Sequence, residues 1–177
     1  LNFIPELSSS QQKKVLNIFR EFSIQDAKQV KNIEKKTNHD VKAVELFIVE
    51  KLKKIKLNKF CEFVHFCCTS EDINNLSYSL MLQRFLSQEF SPAIDALQKK
   101  LHTLAKKWAK VSMLAFTHGQ PASPTTLGKE FANFSHRLKF HSDLIKSIKQ
   151  NGKFNGASGN YNAHLIANHK INWEMLS

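Results

Sequence analysis

The stretch Thr117-His118-Gly119-Gln120-Pro121-Ala122-Ser123-Pro124 sets an imidazole among small, polar and rigid residues. An imidazole titrates near neutrality, with an unperturbed pKa of roughly 6.5, so a histidine held in one orientation can give or take a proton at working pH. Gly119 permits backbone geometry closed to other residues, Pro121 fixes φ, and Ser123-Pro124 reads as the cap and first residue of a helix. Such a turn holds His118 still. The same spacing also describes a loop histidine that caps a helix, and a single His motif does not decide between the two.

Two further polar junctions carry groups suited to binding. Thr37-Asn38-His39-Asp40 precedes a helical run through Val41, Val44, Ile48 and Leu52, with Thr37 or Asn38 as the natural cap. Free amides and the positive dipole end of that helix let Asn38, His39 and their neighbours receive a phosphate or carboxylate; otherwise His39 is an exposed first-turn residue. Thr69-Ser70-Glu71-Asp72 puts hydroxyls at a cap and carboxylates in the first turn. That is a good helix start, and the paired hydroxyls with helix amides also form a carboxylate site. The run from Asn151 to Asn162 holds three glycines, which fit either close backbone approach to a ligand or a turn between helices. His65 reads as a satisfied core histidine, and His136 and His141 as packing or interface residues.

Long amphipathic helices must position these junctions. Val15, Ile18, Phe19 and Phe22 mark a first helix from Ser10 to Phe22. A Ser23/Asp26 capping box opens a second, to about Lys36. The third follows Asn38. Phe60 to Cys68 is apolar without a clean period and reads as buried. Helix resumes at Ile73, and Pro92 must kink it or begin another. Ile94, Leu97, Leu101, Leu104 and Trp108 form one heptad stripe, and Leu127, Phe131, Phe134, Leu138, His141, Ile145 and Ile148 a second. With no strand-rich portion, the fold class is all-α: residues 1–59 as the remainder of an N-terminal helical domain, and 60–177 as the start of a long-helix bundle.

Composition narrows the function. The 177 residues are 42% hydrophobic and 23% charged, as in ordinary globular proteins. The run Asn172 to Leu176 looks like the start of another segment, so a piece of a longer protein is expected. No apolar run approaches the roughly 20 residues of a membrane span, and no basic-then-apolar signal opens the chain. Cys61, Cys67 and Cys68 lack partners at zinc-ligand spacing, which predicts reduced core thiols in the cytoplasm and no metal. The net charge of +11 divides into +6 over residues 1–60 and +5 over 61–177. So even a spread suits a small anionic substrate rather than nucleic acid.

Together, the phrases TNHDVKAVE (37–45), FVHFCCTSEDINNLS (63–77), THGQPASPTTLGKEFAN (117–133) and NGKFNGASGNYNAH (151–164) carry a family resemblance. The sequence resembles the aspartase/fumarase superfamily of lyases and, within it, the bacterial-type adenylosuccinate lyase family. That resemblance implies a small N-terminal helical domain, a bundle that forms a homotetramer with active sites shared between subunits, and no metal or organic cofactor. It implies β-elimination of fumarate from adenylosuccinate, giving AMP, and from the succinylated carboxamide ribotide of purine synthesis. His118 then matches the general acid. Thr69 and Ser70 match residues that hold the succinyl or fumarate carboxylate, and Asn38, His39 and Asp40 match the segment that contacts the nucleotide. The glycine run with Asn160 should lie near the same cleft. The family's base, a serine in the signature SSxMPxKxNP, has no match here, and neither has its N-terminal arginine-tyrosine pair. Part of an active site is therefore expected, without turnover from these residues alone. The alternatives are argininosuccinate lyase, aspartase or fumarase of the same superfamily, or a helical assembly module without catalysis.

Overall fold

The computed structural model describes residues 5–177, and several of its helices start where short polar side chains satisfy the first free amides. Helix α1 (Ser9–Arg20) opens on a capping box: Ser8 Oγ accepts the Gln11 N–H at 3.3 Å, and Gln11 Oε1 accepts the Ser8 N–H at 2.9 Å. Helix α2 (Ile24–Thr37) opens on the predicted Ser23/Asp26 box, with bonds of 2.9 and 3.2 Å. Asp26 also accepts from Lys51 Nζ at 2.6 Å, on helix α3 (Asp40–Lys54). The Lys51 bond, aided by Ser23, lowers the Asp26 pKa from 3.8 to about 2. Asn38 ends α2 in the left-handed conformation, at φ 49°, which asparagine tolerates.

The chain packs as two compact units, Leu1–Ser77 with Gly152–Ser177, and Tyr78–Asn151. In the first, α3 buries Val41, Ala43, Phe47 and Leu52. Leu52 joins Leu57 and Phe60 in a core flanked by Val15, Ile18 and Ile48. Burying a side chain of this size stabilises by about 1.5–3 kcal/mol. The apolar run from Phe60 to Cys68 is less buried than its composition predicts. A 3-10 turn (Asn58–Phe63) passes into tight turns with His65 and Cys67 left-handed, at φ 63° and 59°. The backbone reverses too often to keep one face inward: only Phe60 is fully buried, and His65 and the three cysteines are half-buried. His65 lines a cavity of about 430 Å³ with Val41, Ile48, Phe63, Tyr161 and Trp173, instead of sitting in the core.

Helix α4 (Ser70–Phe85) runs through a π-helical turn (Leu86–Phe90) into α5 (Ser91–Lys107). Pro92 has no N–H, and its ring crowds the carbonyl one turn back; the wider π turn accommodates it, so the helix neither stops nor restarts. Within the second unit, α5 pairs with α6 (Leu127–Ser147). Gln98 meets Ser135 at 3.4 Å and Asp95 meets Lys146 at 2.7 Å, which makes the pair antiparallel. The backbones come close at Gly128, where a Cβ would lie 2.5 Å from Ala105 O and from Ala109 Cα. The buried residues of α6 are Gly128, Ser135 and Ser142, seven apart. Phe134, His141 and Ile148, three of the seven residues of the predicted apolar stripe, stay exposed, as does His136.

Between α5 and α6 the structure holds an antiparallel hairpin that the sequence reading lacked, β1 (Ser112–Thr117) and β2 (Gln120–Thr126). Ser123 and Pro124 lie within β2 and do not start the helix. The cap of α6 is Thr126, whose Oγ1 accepts the Lys129 N–H at 3.1 Å. Ser123-Pro124 loses to strand pairing, since Pro124 stands opposite Leu114 in the ladder. Two short helices, α7 (Asn162–Ala167) and α8 (Trp173–Leu176), complete the described chain.

Candidate active site

Helix α3 is capped by His39 itself, not by Thr37 or Asn38. The His39 Nδ1 accepts the Lys42 N–H at 3.2 Å. Thr37 Oγ1 instead accepts the His39 N–H at 3.4 Å and donates to the His39 carbonyl at 3.0 Å, which locks the junction. Histidine is an uncommon cap, but its Nδ1 sits where an Asn or Asp oxygen would. With Nδ1 accepting, the neutral ring carries its proton on Nε2. That nitrogen is 3.2 Å from Ser70 Oγ. As donor to Ser70 Oγ, it leaves the serine's own proton free for another acceptor.

Asp40 extends the same contact. Its Oδ1 accepts the Val41 N–H at 2.7 Å and its Oδ2 the Asn74 Nδ2–H at 3.3 Å. The Val41 bond outweighs burial, and with help from Asn74 it holds the Asp40 carboxyl below its usual range. The structure thus brings His39 and Asp40, on α3, against Ser70 and Asn74, on α4. Asn38 shapes the approach through its left-handed backbone. Thr69 directs its N–H into the Asp72 carboxylate at 2.8 Å, half of a capping box.

The opposite side of the same α4 turn grips the glycine-containing loop. Asp72 and Asn75 both bond to residues of 153–156. The signal was present in TSEDINN: Ser70 and Asn74 are four apart and share a helix face, and Asp72 and Asn75 are three apart and share the next. Asn160 is exposed, and the loop reaches α4 through Lys153, Asn155 and Gly156. Burial, then the charges of Asp72 and Cys67, push the Cys68 thiol up to about 11, so it stays protonated and unreactive.

His164 is a further imidazole, 1% exposed and ringed edge-on by Phe154, Tyr161 and Trp173 at 5.8, 5.5 and 5.0 Å. Neither of its ring nitrogens has a hydrogen-bond partner among the described residues. Its place is at the wall of the apolar cavity.

His118 belongs to the second unit, exposed at the hairpin tip. His118 and Gly119 both have positive φ, 48° and 73°. That pairing of signs is the two-residue turn whose twist matches the flanking strands. Gly119 takes up the conformation its lack of a Cβ permits. The hairpin, rather than a helix start, fixes the backbone at the imidazole.

A mostly helical chain with polar clusters at its helix ends also matches known proteins. A family model described as Lyase matches residues 1–177, and the chain belongs to that family. Among curated relatives, it is 48% identical over 162 residues to an adenylosuccinate lyase of Buchnera aphidicola subsp. Schizaphis graminum, covering 91% of this chain and 36% of that one. It is 45% identical over 161 residues to the adenylosuccinate lyase of Escherichia coli strain K12, covering 90% of this chain and 35% of that one. The chain therefore spans little more than a third of the length of these relatives. The solved fumarate lyase of Mesorhizobium sp. BNC1 superposes with a TM-score of 0.68 over 89% of this chain and 36% of that one, at 20% identity, a likeness of fold.

Proposed function

We propose that these residues form part of the active site of an adenylosuccinate lyase, a C–N lyase that eliminates fumarate from adenylosuccinate to give AMP and performs the matching step on the succinylated carboxamide ribotide. The observation that carries the reading is the meeting of His39 with Ser70 at 3.2 Å, because two segments 31 residues apart supply a hydroxyl donor beside helix amides. The 45–48% identity to curated adenylosuccinate lyases supports the substrate.

In the proposed reaction a base removes a proton from the carbon next to a succinyl carboxylate, and negative charge flows into that carboxylate. Ser70 Oγ–H, freed by the His39 Nε2–H, donates to the carboxylate, with the Thr69 hydroxyl and α4 amides beside it. The C–N bond then breaks, its electron pair goes to the departing nitrogen, and His118 supplies that nitrogen's proton. Asn38, His39 and Asp40 face the nucleotide. The base is a serine outside these residues, so they have no turnover alone. The working protein is a cytoplasmic homotetramer, with residues 1–59 ending an N-terminal domain and 60–177 beginning the bundle.

The test is elimination by the full-length protein carrying these residues, followed as fumarate release, with His118→Ala beside it. A general acid contributes roughly 100- to 10,000-fold, and a fall in kcat below about tenfold removes His118 from that role. A protein that cleaves argininosuccinate and leaves adenylosuccinate untouched refutes the substrate.

A further inference from the structure

Asp72 has no exposed surface, yet it lies in the first turn of the helix to which the proposed function assigns a substrate carboxylate. Four donors converge on it. The N–H groups of Thr69, Asn155 and Gly156 reach it at 2.8, 3.1 and 3.1 Å, and Lys153 Nζ at 2.6 Å. Burial alone would raise its pKa, but the hydrogen bonds from Lys153, Thr69 and Asn155 outweigh burial and keep it ionised. Lys153 is itself held. Its ammonium donates to the Gly156 carbonyl at 2.8 Å, and the Asn75 amide clasps its backbone N–H and C=O at 2.7 and 3.0 Å.

A helix N-terminus attracts anions through free amides and its dipole. A buried carboxylate bonded to the Thr69 amide takes one of those amides and opposes a second negative charge. In the low-dielectric interior that opposition is stronger than in water. The ammonium at 2.6 Å is the counter-charge that removes it.

We infer that Lys153 is a positioning residue for substrate: it cancels the Asp72 charge so that the start of α4 remains able to take a carboxylate, without touching the substrate. This rests on the lyase reading above. Loop 152–159 then governs carboxylate affinity through charge, as well as shape. A purely structural clasp would hold the same bonds but predicts a different mutant pattern.

The experiment is a double-mutant cycle in the full-length protein, read by KM for adenylosuccinate, kcat, and the competitive inhibition constant of fumarate. Lys153→Met strips a buried charge of its partner and should raise KM and the fumarate constant by about tenfold, with a much smaller change in kcat. Asp72→Asn/Lys153→Met carries neither charge and should return both constants most of the way to wild type. Asp72→Asn alone leaves Lys153 uncancelled and should tighten fumarate binding by about threefold, the size of a screened charge interaction. The inference is overturned if the double variant binds no better than Lys153→Met, or if Lys153→Met leaves both constants unchanged. Should Lys153→Met not fold, unchanged or weaker fumarate binding in Asp72→Asn overturns it equally. Wild-type protein without elimination activity overturns the lyase reading, and this inference with it, before any variant is compared.

Discussion

Replacing His39 separates its two structural jobs. As the cap of α3 it satisfies the Lys42 amide, and through its far nitrogen it holds Ser70. His39→Ala loses both. Removing a good cap costs about 1 kcal/mol, and the side chain is 47% exposed, which keeps the Ser70 hydrogen bond near the lower end of about 0.5–1.5 kcal/mol. The alanine variant should therefore lose about 1.5 kcal/mol. His39→Asn restores an oxygen where Nδ1 stood, but is too short to reach Ser70. It should lose only about 0.5 kcal/mol, while sharing the alanine variant's loss of substrate affinity. Urea unfolding of the two variants gives the first comparison, and kcat/KM for adenylosuccinate in the full-length protein gives the second. Equal destabilisation by Asn and Ala refutes the cap assignment. Wild-type KM in His39→Asn refutes the role of the Ser70 contact in binding.

Gly128→Ala gains about 1 kcal/mol of helix propensity, but sets a methyl 2.5 Å from backbone atoms of Ala105 and Ala109. Backbone cannot rotate away, so overpacking should win and leave a net loss of about 1–2 kcal/mol; a raised melting temperature contradicts the seam described for α5 and α6. The Asp26 carboxyl, lowered from 3.8 to about 2, binds fewer protons folded than unfolded between those values. Its contribution is therefore complete above about pH 4 and disappears as pH falls towards about 2. The melting temperatures of wild type and Asp26→Asn should converge over that interval, and a constant gap from pH 5 to pH 2 rules the contribution out.

Local chemistry with a short range was legible in the sequence, and pairings across distance were not. The Ser23/Asp26 box is three residues long and could be read directly, but its link to Lys51 spans 25 residues and depends on how α2 packs on α3. Heptad counting located α5 and α6 and found part of the face they share, with Trp108 and Phe131 in ring contact at 5.2 Å. The fully buried positions of α6 are instead Gly128, Ser135 and Ser142, which are too small to register as apolar. The hairpin escaped because Ser-Pro beside a helix is a common cap signal, whereas the deciding factor is the partner strand. At the site, the polar junctions were visible as candidates. Their internal wiring through Asp72, Asn74, Asn75 and Lys153 emerges only when α3, α4 and the loop are folded together.

The hairpin ladder is out of step with itself. Leu114 pairs with Pro124 and Phe116 with Pro121, so Ala115 alone stands opposite both Ala122 and Ser123. The extra residue of β2 is left out of the ladder, so the strand bends and its twist increases there, which sets how the tip is aimed relative to α6. The direction in which His118 leaves the hairpin is thus encoded in chain length rather than in any side-chain partner. Substitutions at Ala122 or Ser123 should leave that direction alone, whereas losing either residue would remove the bend and re-aim the imidazole.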